Sequence, residues 1–145
     1  MAQEQAPLSL IVCDIDFFTT YNEIYGDLAG EQCLQQVAKA IRTAVTRSTD
    51  LVARYRSEAF VVLLPNTSAQ TAEQVAEEIR SKVQALKIDH KGVKIGQSLT
   101  LSFGVASTIP TYKSSSATLM TTATQALYQA KTQGRDRVIL KLCHR

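Results

Sequence analysis

Residues 47–65 read RSTDLVARYRSEAFVVLLP, and the fold turns on this stretch. Leu51 to Tyr55 and Phe60 to Leu64 are rich in β-branched, aliphatic and aromatic residues, which favour the pleated state. Between them Arg56-Ser57-Glu58-Ala59 is polar at its tip and carries one carboxylate, so the spacing predicts a tight hairpin. FVVLL is apolar on both faces, which predicts a central, fully buried strand. A charged tip between two buried strands is a place to present a ligand. Upstream, Leu8 to Cys13 is a further apolar run that ends in Asp14-Ile15-Asp16. If that end lies beside the hairpin, Asp14 and Glu58 converge. Two carboxylates at adjacent strand ends suit a hard cation that holds a nucleotide phosphate.

The rest of the composition narrows the class. A chain of 145 residues makes one domain, long enough to bury about two thirds of its unfolded surface. A net charge of +3 is too small to argue for nucleic acid. No apolar run approaches a membrane span of about 18 residues, and the start, MAQEQAP, has no signal-peptide pattern. Cys13, Cys33 and Cys143 are unpaired in spacing, which suits reduced thiols in a cytoplasm. His90 and His144 stand alone and suggest no ligand cluster.

Working outward, residues 8–14 form the first strand, with Asp14 and Asp16 on one face. On spacing alone these are solvated acids at a strand end. Phe18 to Tyr25 is a short helix closed by Gly26. Leu34, Val37, Ala38, Ile41 and Val45 recur at helical spacing from Glu31 to about Thr46. Arg47 complements that helix end, its fork free, and Asp50 sits in a turn. Pro65 to Ser68 breaks the strand and caps a helix with the stripe Val75, Ile79, Val83 and Leu86. Residues 87–97 read as a loop or small hairpin, 98–107 as a strand and the Ser-rich 113–118 as a loop. Residues 116–132 read as a helix with Met120, Ala123, Leu127 and Ala130 inward, closed by Gly134, and 138–142 as a final strand. Lys131 and Arg135 lie near that last helix end and complement its dipole.

ARYRSEAF followed by VVLLP resembles the signature hairpin of the GGDEF family, the bacterial diguanylate cyclases. The family motif is Gly-Gly-Asp/Glu-Glu-Phe, and Arg56-Ser57-Glu58-Ala59-Phe60 departs from it at Arg56, Ser57 and Ala59. The surroundings match more closely. Asp14-Ile15-Asp16-Phe17-Phe18 is similar to the family's D-x-D-x-F stretch, and residues 22–31, NEIYGDLAGE, to N-D-x-x-G-H-x-x-G-D. SLTLSFGVAS at 98–107 is similar to LTVSIGVA, and residues 126–138 to ALYxAKxxGRNxV. The resemblance runs from Leu8 to Val138. A D-x-L-T-G-L-x-N-R segment usual before the first strand is missing, so the expectation over 1–145 is a single degenerate domain, excised or shortened.

The resemblance implies an α+β fold, a nucleotidyl-cyclase-like palm with a ferredoxin-like core. Its central sheet would have about five mostly antiparallel strands flanked by helices, in the order β-α-α-β-β-α-β-α-β. It implies that Asp14, the Ile15 carbonyl and Glu58 hold Mg2+ or Mn2+ with GTP, and that Glu58 serves catalysis. Phe18, Asn22 and Glu31 would hold the guanine, Lys131 and Arg135 the β- and γ-phosphates, and Arg56 and Ser57 would lie against ribose and phosphate. Arg47 and Asp50 match an R-x-x-D site for the product cyclic di-GMP. Departures are Thr19 for a phosphate-binding Lys, Glu78 for an Arg that helps bind product across a dimer, and Ala59 for an acid. The implied function is a catalytically impaired domain that binds cyclic di-GMP or GTP in signalling. The alternatives are an active cyclase and a dimerisation or docking domain without nucleotide. Implied partners are a second copy and other signalling domains of a parent protein, with no nucleic acid and no membrane.

Overall fold

In the computed structural model, which describes residues 6–56, 58–93, 97–109 and 116–143, the run after Pro7 forms β1 (Leu8–Ile15). There follow α1 (Phe18–Tyr25), α2 (Asp27–Ala44), β2 (Leu51–Arg54), β3 (Ala59–Pro65), α3 (Ala69–Ala85), β4 (Leu101–Thr108), α4 (Ser116–Thr132) and β5 (Val138–Leu142). This is the expected order. The strands form one sheet, β2-β3-β1-β4-β5, in which only the β4–β5 pair is parallel. An α+β sheet of this kind is what the sequence led us to expect.

β1 takes the centre because it is apolar on both faces. Ile11, Cys13 and Ile15 face a core built with α1, α2 and α3, where Leu34, Val37, Ile41, Ile79 and Val83 are buried. Leu10 and Val12 face a smaller core with Ala106, Leu119, Ala123 and Leu127. α4 makes that second layer and approaches closely, because β4 has no side chain at Gly104. A Cβ there would lie 2.1 Å from the Ala123 carbonyl oxygen and 2.3 Å from the Leu127 nitrogen.

Several expectations need correction. β3 is not fully buried: Phe60, Val62 and Leu64 are, but Val61 and Leu63 are half-buried. The reason is that α4 packs on β4, β1 and β5 and leaves the second face of β3 largely uncovered. β2 is an edge strand with Leu51 62% exposed, so the tip does not lie between two buried strands. Ala59 belongs to β3 rather than to the turn. α2 starts at Asp27, before Glu31, and ends at Ala44. Leu86 is exposed at the C-cap of α3 rather than part of the buried stripe. β4 starts at Leu101, and Ser98 instead bridges to Asp89. Ser116 to Thr118 belong to α4, and residues 113–115 of the Ser-rich loop lie outside the described residues, as do Ser57 and His144. Ser68 caps α3 as expected, accepting from the Thr71 amide at 3.2 Å. Among the described residues no helix is long and apolar enough to cross a membrane.

Candidate functional site

The site gathers where β1 ends. The Ile15 amide donates to the Glu58 carbonyl at 3.2 Å, and the Asp16 amide to the Thr100 carbonyl at 2.9 Å. The strand end therefore lies between the hairpin tip and the start of β4. Asp14 stands directly opposite Ala59 on β3 and Ser102 on β4. On that same face the last turn of α4 brings in Lys131, whose ammonium pairs with Asp14 Oδ2. Both side chains are more than two thirds buried, so the pair is shielded from salt better than a surface pair.

Asp16 overturns the picture of solvated strand-end acids, because it is 2% exposed. It accepts from Ser102 Oγ at 2.6 Å, Thr100 Oγ1 at 2.7 Å and the Asp136 amide at 3.1 Å. Burial pushes its carboxyl above the ordinary range, and these hydrogen bonds and Arg135 oppose that shift. Arg135 lies just past the end of α4, as expected, and its amide closes the helix on the Ala130 carbonyl at 2.9 Å. It follows Gly134 beyond α4, where Gly134, Arg135 and Asp136 have φ of 130°, 65° and 49°. Its Nη1 lies 3.9 Å from Asp16 Oδ1, and its guanidinium carbon 4.4 Å from the centre of the Phe17 ring. A specific carboxylate and a ring face, rather than a helix dipole, set its direction.

Phe17 itself has φ of 56°, and its carbonyl accepts from His90 Nε2 at 3.0 Å. His90 Nδ1 accepts from the Gly92 amide at 3.1 Å, which assigns the proton of the neutral ring to Nε2. Asp16, Phe17, His90, Arg135 and Asp136 line a cavity of about 470 Å³.

The guanine-reading candidates sit at the α1–α2 junction. Phe18 is buried and stacks on Tyr21, with ring centres 6.1 Å apart. The side-chain oxygen of Asn22 is buried with no hydrogen-bond partner among the described residues. It packs against Gly30, where a Cβ would lie 1.7 Å from it. The atom is enclosed between α1 and α2. Glu31 is exposed, with Arg54 Nη1 3.7 Å away.

Arg56 is exposed over the Tyr55 ring at 5.3 Å, Glu58 is half-buried and Thr19 is exposed. As metal ligands, Asp14, Glu58 and the Ile15 carbonyl offer hard oxygens of the kind magnesium takes. Among the described residues no cluster of three or more His, Cys, Asp or Glu side chains forms. The donor set fits a cation that keeps waters and leans on phosphates.

Arg47 and Asp50 lie apart from this end, and the Arg47 fork is not free. Its Nη2 donates to Asp50 Oδ1 and to Thr67 Oγ1, each at 2.9 Å, and to the Pro65 carbonyl. The Asp50 side chain is only 6% exposed under it. Glu78 is exposed on α3. Two further arginines at the site carry no functional pattern in the sequence. Arg80 holds Glu77 Oε1 at 2.9 Å and Asp136 Oδ1 at 3.0 Å, a partnership across 56 residues with no local signal. Arg54, beside Glu31, was legible only as part of the strand.

Sheet order, paired acids at the central strand end and a Lys and an Arg beside them define an α+β domain whose charged groups gather at one end of the sheet. The profile described as "Diguanylate cyclase, GGDEF domain" matches residues 1–137, and the chain belongs to that family. It is 42% identical over 138 residues to diguanylate cyclase A of Treponema denticola, covering 95% of this chain and 36% of that protein. It spans about a third of the length of that relative and less of Pseudomonas aeruginosa DgcP, at 19%. Among solved structures it resembles the GGDEF domain of DgcB from Caulobacter crescentus in complex with c-di-GMP, at 30% identity and TM-score 0.81. That match covers 92% of this chain and 77% of the other. The active GGEEF domain of a diguanylate cyclase from Vibrio cholerae matches at 29% identity and TM-score 0.80, covering 97% and 85%.

Proposed function

We propose that this chain is one degenerate GGDEF domain over 1–145 that binds GTP or cyclic di-GMP in cytoplasmic signalling and has lost most cyclase activity. One observation carries this reading: Ala59 stands directly opposite Asp14, where the family's motif has an acid, while Asp14 still pairs with Lys131. The phosphate-holding part keeps Lys131 and Arg135 but has Thr19 for a Lys, and the hairpin keeps Glu58 but has Ala59 for an acid. Arg56 and Ser57 replace glycines whose bare backbone lets ribose and phosphate approach.

In this reading Asp14, Glu58 and the Ile15 carbonyl hold Mg2+ or Mn2+ when GTP is bound, and the ion would neutralise phosphate charge. Phe18, Asn22 and Glu31 seat the guanine. Lys131 and Arg135 take the distal phosphates, Lys131 by exchanging Asp14 for phosphate. Cyclic di-GMP would bind through Arg47 and Asp50, exchanging the Pro65 and Thr67 contacts of Arg47 for ligand phosphate. A second copy and further signalling domains are the partners this reading expects.

Calorimetric titration with GTP and with cyclic di-GMP, both with magnesium, tests it. Binding of either one without product formation supports it. Ordinary turnover restores the active-cyclase reading, and no heat with either ligand leaves the docking-domain reading.

A further inference from the structure

We propose that Asp16 and Arg80 are positioning residues that hold the Arg135 guanidinium as a phosphate grip; this rests on the nucleotide reading above. Arg135 and Asp136 are not glycines, yet both have left-handed backbones. Such residues persist only where the surroundings over-determine them. Three contacts do so. The Arg135 amide closes α4 on the Ala130 carbonyl at 2.9 Å. The Asp136 amide donates to the buried Asp16 carboxylate at 3.1 Å. From the far side, Arg80 Nη1 donates to Asp136 Oδ1 at 3.0 Å and lies 3.4 Å from its carbonyl oxygen.

The turn is thus clamped from β1 on one side and from α3 on the other. The clamp leaves the grip itself unsaturated. Asp16 Oδ1 lies 3.9 Å from Arg135 Nη1, too long for a hydrogen bond. Phe17 covers one face of the guanidinium, and the side chain is 34% exposed. Asp16 therefore orients the fork without occupying it. Arg80 touches Glu77 and Asp136 rather than the sheet, so its side-chain bonds serve this turn.

The test measures affinity for magnesium-GTP, GMP and inorganic tripolyphosphate, together with amide hydrogen exchange at Arg135 and Asp136 without ligand. Arg80→Met carries it, because Asp16→Asn disturbs a buried group and can fail to fold. Arg80→Met should weaken GTP and tripolyphosphate about tenfold, as loss of a charge-assisted bond does. GMP affinity should stay within about twofold. Arg80→Met/Arg135→Met should bind no more weakly than Arg135→Met alone, since the two act as a unit. Arg80→Lys should recover part of the loss. Additive losses, or equal losses for GMP and GTP, overturn the proposal. If the wild-type chain binds none of these ligands, the nucleotide reading fails on its own. Exchange then decides: faster exchange at Arg135 and Asp136 in Arg80→Met supports the clamp, and unchanged exchange overturns it.

Discussion

The α4–β5 turn and the β2–β3 turn flank the same end of β1, but they are built on different foundations. The first is fastened to a carboxylate that is 2% exposed and to an arginine from α3. The second ends in an exposed Arg56 lying on the Tyr55 ring, beyond an edge strand. The contrast explains which family residues survive. Asp16 bonds Ser102, Thr100 and the Asp136 amide, so losing it would strip buried polar groups of partners and harm the fold itself. Arg56 is exposed, and changing it leaves the core untouched.

The largest effect should come from rebuilding the weaker turn. The chain should give no cyclic di-GMP above background from GTP with magnesium or manganese. Its rate should be at least about a thousandfold below an ordinary 1 per second. Arg56→Gly/Ser57→Gly/Ala59→Glu should raise it, since residue 59 faces Asp14 across the β1–β3 pair. Chromatography of the product checks this, and ordinary turnover by the unmodified chain would end the impaired-cyclase reading.

Stability should rank the regions in the same way. Gly104→Val forces a side chain into the α4 backbone and should cost about 3 kcal/mol or more in urea unfolding. Arg56→Gly should change stability by no more than about 0.5 kcal/mol. A large loss at Arg56 would mean that the tip supports the fold after all.

Arg47 offers a third region to set beside the two turns. Arg47→Ala removes contacts to Asp50, Thr67 and the Pro65 carbonyl, and should cost on the order of 1–2 kcal/mol. If it also grips cyclic di-GMP, affinity falls roughly ten- to a hundredfold. Lost stability with unchanged affinity would make it a latch between α2 and β3 and nothing more.

A pH effect calibrates the shared core. Burial pushes the Cys33 thiol up to about 11 from 9.0. A raised folded-state value means that its stabilisation is complete below pH 9.0 and is lost as pH rises through about 11. By pH 10 the loss should be about 1 kcal/mol. Alkaline unfolding curves of the wild-type chain and Cys33→Ala should converge over that window, and parallel curves would refute the assignment.

Much of this was legible in the chain. α1, α4 and β5 run over the residues their periodicity indicates, and Gly26 ends α1 with its amide on the Asn22 carbonyl at 2.9 Å. Lys131 stood out only as a phosphate ligand, and its pairing with Asp14 has no local signal. The start of α2 did not follow, because Gly30 reads as a turn residue. In the fold its amide continues the helix on the Gly26 carbonyl at 3.0 Å, and its missing side chain makes room for Asn22.

Alternation and helical spacing depend on neighbours a few residues apart, so the sequence alone determined the nine elements, their order and the acids at the end of β1. Asp16 meets Asp136 across 120 residues and Arg80 meets Asp136 across 56. No local pattern encodes such meetings. Only the stacking of α3 and α4 on opposite faces of one sheet buries Asp16, frees one face of β3 and turns Arg135 toward the strand end, because burial is decided by which surfaces exclude water together.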